Sequence, residues 1–402
     1  MTSAADSSLT AYGWDTDWAA AFAPYAEAGL VPGRVVRVDR GRCEVVVAAT
    51  DSGPAPAVGT ASDAAAFGSA SESDSGSASA SGSGSGSGPR APLRTLRAET
   101  DPAAGVCTGD WVAVDPAPPA APVVGAVLPR RTRFTRSTSS ARSEGQTLAA
   151  NIDLAVIAVS LAVELDLGRL ERFLSLAWSS GAQPVVALTK TDLVPDITHL
   201  VADVEEAGPG ASVFPVSSVS GAGLDALAGE LTGRTSALLG QSGVGKSTLV
   251  NALLGEEEQA SGPVRGSDGK GRHTTTAREL LLLPRGGVLI DTPGLRGVGL
   301  WEANDGLSQV FAEIEELAVH CRFHDCEHHA EPDCAVLAAV ETGTLSHRRF
   351  ESYRKLLRES AWIASRTDAR LRAELSREWR RREAAGREMY ERKRGGKHRK
   401  AF

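Results

Sequence analysis

Apolar and polar positions alternate in short runs over the first third of the chain. Runs at 34–38, 43–47, 93–99, 111–114 and 123–128, with a turn at Asp39-Arg40-Gly41-Arg42 after the first, predict five short strands. That number of strands over residues 31–134 predicts an OB-type β-barrel, a fold often used for nucleic acid. Residues 1–30 ahead of it form an Ala-rich lead of helical character carrying Trp14 and Trp18. From about 149 the pattern changes. Apolar runs at 154–163, 184–188, 212–216, 235–239 and 287–290 predict strands, and 247–254 reads as a helix, so residues 149–298 are expected to form an α/β domain. Residues 299–391 read as helical, with Leu356, Leu357, Trp362, Leu371, Leu375 and Trp379 at helical spacing. The expected fold class is multidomain α/β, with barrel, α/β and helical units in that order, and 402 residues leave room for two to four domains of ~100–150 residues.

Composition alters this picture in three places. Residues 51–92 turn to Ala, Ser and Gly, with strict Ser-Gly alternation over 81–88. Such a segment cannot bury a core and is expected to be a disordered loop between two barrel strands. The net charge of −7 hides an asymmetry: residues 348–402 hold 19 Lys and Arg against 8 Asp and Glu, a balance of +11 that leaves −18 for the rest. A basic end, densest in the tail 392–402, suggests a polyanion partner. The exit from the barrel, Arg130-Arg131-Thr132-Arg133-Phe134-Thr135-Arg136, favours RNA by the same argument. There is no basic start followed by an apolar run, nor a stretch near the ~20 apolar residues of a membrane span. A cytoplasmic, monomeric protein without membrane contact is expected.

Candidate chemistry begins with Gly240-Gln241-Ser242-Gly243-Val244-Gly245-Lys246-Ser247, which fits G-x-x-x-x-G-K-[ST] between a strand and a helix. Glycines there let backbone N–H groups turn inward around a phosphate, with Thr248 in the following helix, Lys246 reaching the β- and γ-phosphates and Ser247 ligating Mg²⁺. The strand at 287–290 runs into Asp291-Thr292-Pro293-Gly294, placing Asp291 for the Mg²⁺ shell and the Gly294 N–H for sensing the γ-phosphate. Base choice rests on Thr189-Lys190-Thr191-Asp192 after the strand 184–188. The Asp192 carboxylate can accept from guanine N1–H and N2–H, a donor pair that adenine lacks on that edge. Lys190 would lie across the base, and Thr189 stands where GTPases usually carry Asn. Ser217-Ser218-Val219, after the strand 212–216, sits where a loop would pack on the base through its backbone. The guanine-reading segment precedes the phosphate loop, the reverse of the usual order, so the domain is expected to be a circular permutation.

This motif order, with Gly271-Arg272-His273-Thr274-Thr275-Thr276 between phosphate loop and Asp291, resembles the circularly permuted GTPases of the RsgA/YjeQ type over about residues 30 to 360. The resemblance implies a GTPase that binds the small ribosomal subunit and its rRNA, assists late maturation, and leaves on hydrolysing GTP to GDP. Leu295 follows Gly294 where Ras-like enzymes place the glutamine that orients water. Slow intrinsic hydrolysis is therefore expected, and the resemblance implies that His273 is the catalytic group, an imidazole able to orient or deprotonate water near neutral pH. Of the neighbouring threonines, Thr275 is expected to complete the Mg²⁺ shell.

Three of the five cysteines cluster as Cys321-x4-Cys326-x-His328-x5-Cys334. Three thiolates and an imidazole suit tetrahedral Zn²⁺, and a closed set of four points to a structural ion, one per chain. His324, His328 and His329 all compete for the fourth place; the resemblance selects His328. Cys43 and Cys107 read as small core residues of the barrel.

Overall fold

The computed structural model describes residues 8–39, 41–49, 92–116, 121–136, 146–255, 278–291 and 304–367, with single positions as far as 380. The Ala/Ser/Gly insertion up to 91, His273, Thr275, Gly294 and the basic tail lie outside the described residues.

Five strands, β1 (Val31–Asp39), β2 (Arg42–Ala48), β3 (Leu93–Glu99), β4 (Trp111–Asp115) and β5 (Val123–Val127), close into a barrel in the order β1-β2-β3-β5-β4, with β4 returning to β1. All pairings are antiparallel except β3 with β5. Alternation sends Val35, Val45, Val47, Val112 and Val114 inward. The interior is tight enough that a Cβ on Gly33 would come within 2.3 Å of Val45 Cγ1, so β1 can enter the barrel only with glycine there.

The lead folds onto the barrel's outside. Asp15 caps the helix Thr16–Glu27 by accepting from the Trp18 N–H at 2.9 Å. Trp18 and Phe22, one turn apart, then face the barrel together with Trp14. The Trp14 and Trp111 rings meet edge to face, centroids 4.8 Å apart.

A two-stranded ribbon, β6 (Arg133–Arg136) with β7 (Gln146–Ala150), leads into the second domain. There β8 (Leu154–Ser160), β9 (Gln183–Thr189), β10 (Ser212–Val216), β11 (Thr235–Leu239) and β13 (Val288–Asp291) form a parallel sheet in the order β10-β9-β8-β11-β13, and β12 (Glu279–Leu282) pairs antiparallel on β13. Both faces are covered, which is why these strands are almost uniformly apolar. The edge at β12 is not left open: Arg37 of β1 pairs with Glu279, joining barrel and sheet. Arg34, 1 % exposed, reinforces that joint by lying 4.7 Å over Trp111 while donating to the Asn151 carbonyl at 3.2 Å and Thr235 Oγ1 at 3.3 Å. Burial pushes the Arg34 guanidinium down to about 10 against the opposing pull of Asp153 and Asp110, so it stays charged at neutral pH.

The helices Asn304–Val310, Ala312–Ala318, Ala335–Glu341 and His347–Thr367 complete the described chain. They seat on the helix Leu167–Ser179, where a Cβ on Gly306 would fall 2.1 Å from the Ser175 carbonyl oxygen, so the two backbones touch. Beside this contact Glu171, fully buried, accepts from Arg349 at 2.8 Å, from Arg348 at 3.0 Å and from the Ser352 hydroxyl. Arg349 also donates to Glu313 at 2.6 Å and to the carbonyls of Ala207 and Val310. No helix among the described residues is long and apolar enough to cross a membrane.

Candidate nucleotide site and metal centre

Parallel strands carry their loops at one edge, and the sequence motifs gather there. The phosphate loop leaves β11, the Thr189 motif leaves β9, Ser217 leaves β10 and Asp291 ends β13. In such sheets the crevice beyond the strands' carboxyl ends is where ligands bind.

Gly240, Gly243 and Gly245 have φ of 135°, 81° and 97°, the left-handed side that favours glycine. A Cβ on Gly240 would also lie 2.6 Å from the Ala158 carbonyl oxygen. Gly245 caps the helix Lys246–Leu254 without a side chain, so the first-turn N–H groups of this helix face the loop. Lys246 folds back over the loop, donating to the carbonyls of Gly240 at 2.8 Å and Gln241. Ser242, Ser247 and Thr248 are exposed on the same rim. Asp291 pairs with Leu238, one residue before the end of β11, which brings a carboxylate beside the loop.

The guanine-reading segment is bonded to this loop. Thr189, 3 % exposed, donates its hydroxyl to the Val244 carbonyl at 2.6 Å, and Lys190, at φ 63°, donates to the Gly243 carbonyl at 2.8 Å. The Thr189 side chain thus points behind the phosphate loop. Its hydroxyl has one proton, and the loop carbonyl takes it. Asp192 remains exposed in the 3₁₀ turn Thr191–Leu193, with one carboxylate oxygen held at 2.6 Å by the buried Ser217 hydroxyl. The same hydroxyl oxygen accepts from the N–H groups of Val219 at 3.3 Å and Ser220 at 3.2 Å. Ser217 is therefore the hub that aims Asp192, a role that its place in the sequence did not disclose. Ser218 is half-buried and Val219 exposed beside it.

Remote from this crevice, the ligand atoms of Cys321, Cys326, His328 and Cys334 lie within 4.8 Å of one another. Cys321 Sγ is 3.8 Å from Cys334 Sγ, and His328 Nδ1 is 3.7 Å from Cys321 Sγ and 3.4 Å from Cys334 Sγ. Tetrahedral bonds of ~2.3 Å to sulfur and ~2.05 Å to nitrogen require S···S of about 3.8 Å and S···N of about 3.5 Å, so the residues fit a zinc ion. His328 turns inward on a left-handed backbone, φ 55°, and is 8 % exposed. His329 stays outside, its Nδ1 on the Glu327 carbonyl at 2.9 Å, and His324 is exposed.

The arginine-rich barrel exit is not the open cationic strip that its sequence suggested. Asp110, fully buried, holds Arg130 through two contacts of 2.7 Å, and Asp15 of the lead holds Arg131, whose guanidinium lies 4.2 Å over Trp18. Two of its four arginines are spent on internal ion pairs that pin lead and barrel together.

A glycine loop wrapped on a helix N-terminus and bonded to a carboxylate-bearing guanine motif, on a sheet whose motif order is reversed, defines a circularly permuted P-loop GTPase fold. Comparison agrees. A family profile described as RsgA GTPase matches residues 127–301, and an ABC transporter profile matches 231–382, which contains the phosphate loop. The chain is 58 % identical over 396 residues to the small ribosomal subunit biogenesis GTPase RsgA of Streptomyces avermitilis, covering 96 % of this chain and 95 % of that one. Its counterpart in Opitutus terrae is 40 % identical over 371 residues, 90 % and 92 % of the two chains. YjeQ from Thermotoga maritima has the same fold at TM-score 0.54 and 24 % identity, over 82 % of this chain and 98 % of that one. YloQ, a circularly permuted GTPase, matches at TM-score 0.52 and 22 % identity, over 82 % and 95 %. The chain belongs to the RsgA family.

Proposed function

We propose that this protein is a GTPase that binds the small ribosomal subunit, assists its late maturation and is released when GTP is hydrolysed to GDP. The observation that carries the reading is the direct bonding of the guanine-reading segment to the phosphate loop, Thr189 to Val244 and Lys190 to Gly243, which makes base and phosphate recognition one unit. The names of the relatives supply the partner.

In this reading Asp192, aimed by Ser217, takes the guanine edge, the loop 240–245 and Lys246 take the phosphates, and the Gly294 N–H senses the γ-phosphate. Mg²⁺, which neutralises developing charge on the phosphates, would be held by Ser247, Thr275 and Asp291. His273 is assigned to the attacking water. Zn²⁺ at Cys321, Cys326, His328 and Cys334 is structural, a cross-link for a segment whose helices are otherwise short. Sedimentation with purified small subunits tests the partner: the protein should pellet with subunits in a non-hydrolysable GTP analogue and stay behind in GDP. Equal pelleting in both nucleotides, or in neither, would overturn the proposal.

A further inference from the structure

The helix His347–Thr367 is held rigidly by one face. Phe350, Tyr353, Leu356 and Ile363 are buried in the core, and Arg349 is anchored on Glu171 and Glu313. On another face Lys355, Arg358 and Trp362 are exposed at spacings of three and four residues, which aligns them in one stripe. Trp362 is 58 % exposed, whereas Trp14, Trp18 and Trp111 are at most 5 % exposed. An indole kept in water on a rigid helix gives up the apolar burial that tryptophan otherwise supplies.

The charges beside it are unequal in kind. The stripe forms one wall of a cleft of about 740 Å³ whose other wall carries Arg169 and Arg172. Those two are compensated, Arg169 by Asp166 at 3.4 Å and Arg172 by Glu359. Glu351 is taken by Arg354 at 3.3 Å. Among the described residues no carboxylate pairs with Lys355 or Arg358. Two uncompensated cations flanking an exposed indole are the elements by which proteins hold single-stranded nucleic acid: cations follow the phosphates and the ring stacks on a base, which a duplex would keep hidden. The surrounding charge agrees, since the chain from 348 onward carries the +11 balance.

We propose that Lys355, Arg358 and Trp362 form a docking stripe for an unpaired RNA segment, with one base stacked on Trp362 and adjoining phosphates on the two cations. This rests on the small-subunit reading above and assigns part of that partner to this helix. The test uses the full-length protein with a fluorescently labelled single-stranded oligonucleotide RNA, a duplex of equal length, and intact small subunits. Trp362→Ala should weaken the single strand roughly 5- to 150-fold, the range for losing one stacked base, with the salt dependence unchanged, and Trp362→Phe should keep most of the affinity. Lys355→Ala and Arg358→Ala should each flatten the dependence of log K on log salt by about 0.7 for a single strand. The duplex should respond only to the charge variants. Unchanged single-strand affinity in Trp362→Ala would overturn the proposal. So would a loss confined to intact subunits, which would put Trp362 against a protein. Hydrolysis at saturating subunits should persist in all variants, so failure here would leave the GTPase reading standing.

Discussion

Replacing Arg349 by methionine should loosen the helical C-terminal unit from the GTPase domain. The guanidinium, 6 % exposed, makes hydrogen bonds to Glu171, Glu313 and the carbonyls of Ala207 and Val310, so it ties together four helices. Methionine fills much of the volume but leaves the Glu171 carboxylate fully buried with Arg348, itself 45 % exposed, and Ser352. Removing one partner of a buried pair costs about 3–5 kcal/mol, and the surviving Arg348 contact puts the expectation near the lower end, about 3 kcal/mol. The double variant Arg349→Met, Glu171→Leu removes the stranded charge as well. It should therefore be about 2 kcal/mol more stable than the single one, because a buried ion pair exchanged for apolar side chains is often close to neutral. Urea unfolding of the full chain, followed by tryptophan fluorescence and by release of bound zinc, measures both variants in a double-mutant cycle. A loss below about 1 kcal/mol for Arg349→Met, or a double variant as unstable as the sum of its parts, would refute the assignment of Arg349 and Glu171 as the joint between the units.

Three further outcomes follow from the geometry. Asp192→Asn should weaken GTP binding by about 2–5 kcal/mol and admit xanthosine nucleotide, since an amide can donate where the carboxylate only accepts; titration with both nucleotides decides it. Cys326→Ser should release zinc and unfold the metal-bearing segment while the phosphate loop still binds nucleotide, so full retention of one zinc per chain would show the ligand assignment to be wrong. Docking of the lead should depend on acid: Arg131 holds the Asp15 carboxyl below its ordinary value, so the contribution is complete above a pH of about 4 and is lost as pH falls through the lower folded value, visible as a change in Trp18 fluorescence that Arg131→Ala abolishes.

Much of this was legible in local pattern. The barrel strands were expected at 34–38, 43–47, 93–99, 111–114 and 123–128 and form within two or three residues of those bounds, because alternation and turn residues are local signals. The phosphate loop was equally plain, since its glycines answer to backbone angles that other residues rarely adopt. The strand expected over 154–163 ends at Ser160, because the Leu161 N–H turns to the Thr189 carbonyl and the chain leaves the sheet. What stayed hidden depends on partners far away in sequence. Glu171 looked like any polar position of a helix, yet its partner Arg349 lies 178 residues on. The arginines at 130 and 131 looked free for RNA because Asp110 and Asp15 are brought to them only by the fold. The expectation that Thr189 reads the base could not anticipate Val244, 55 residues later, as the acceptor of its hydroxyl.

The central claim is tested most directly by phosphate release from GTP under multiple turnover, with and without purified small ribosomal subunits. With no glutamine at Leu295, the protein alone should be slow, and small subunits should raise kcat severalfold or more in the wild type while large subunits do not. A rate that is the same with small subunits, large subunits or neither would contradict the account.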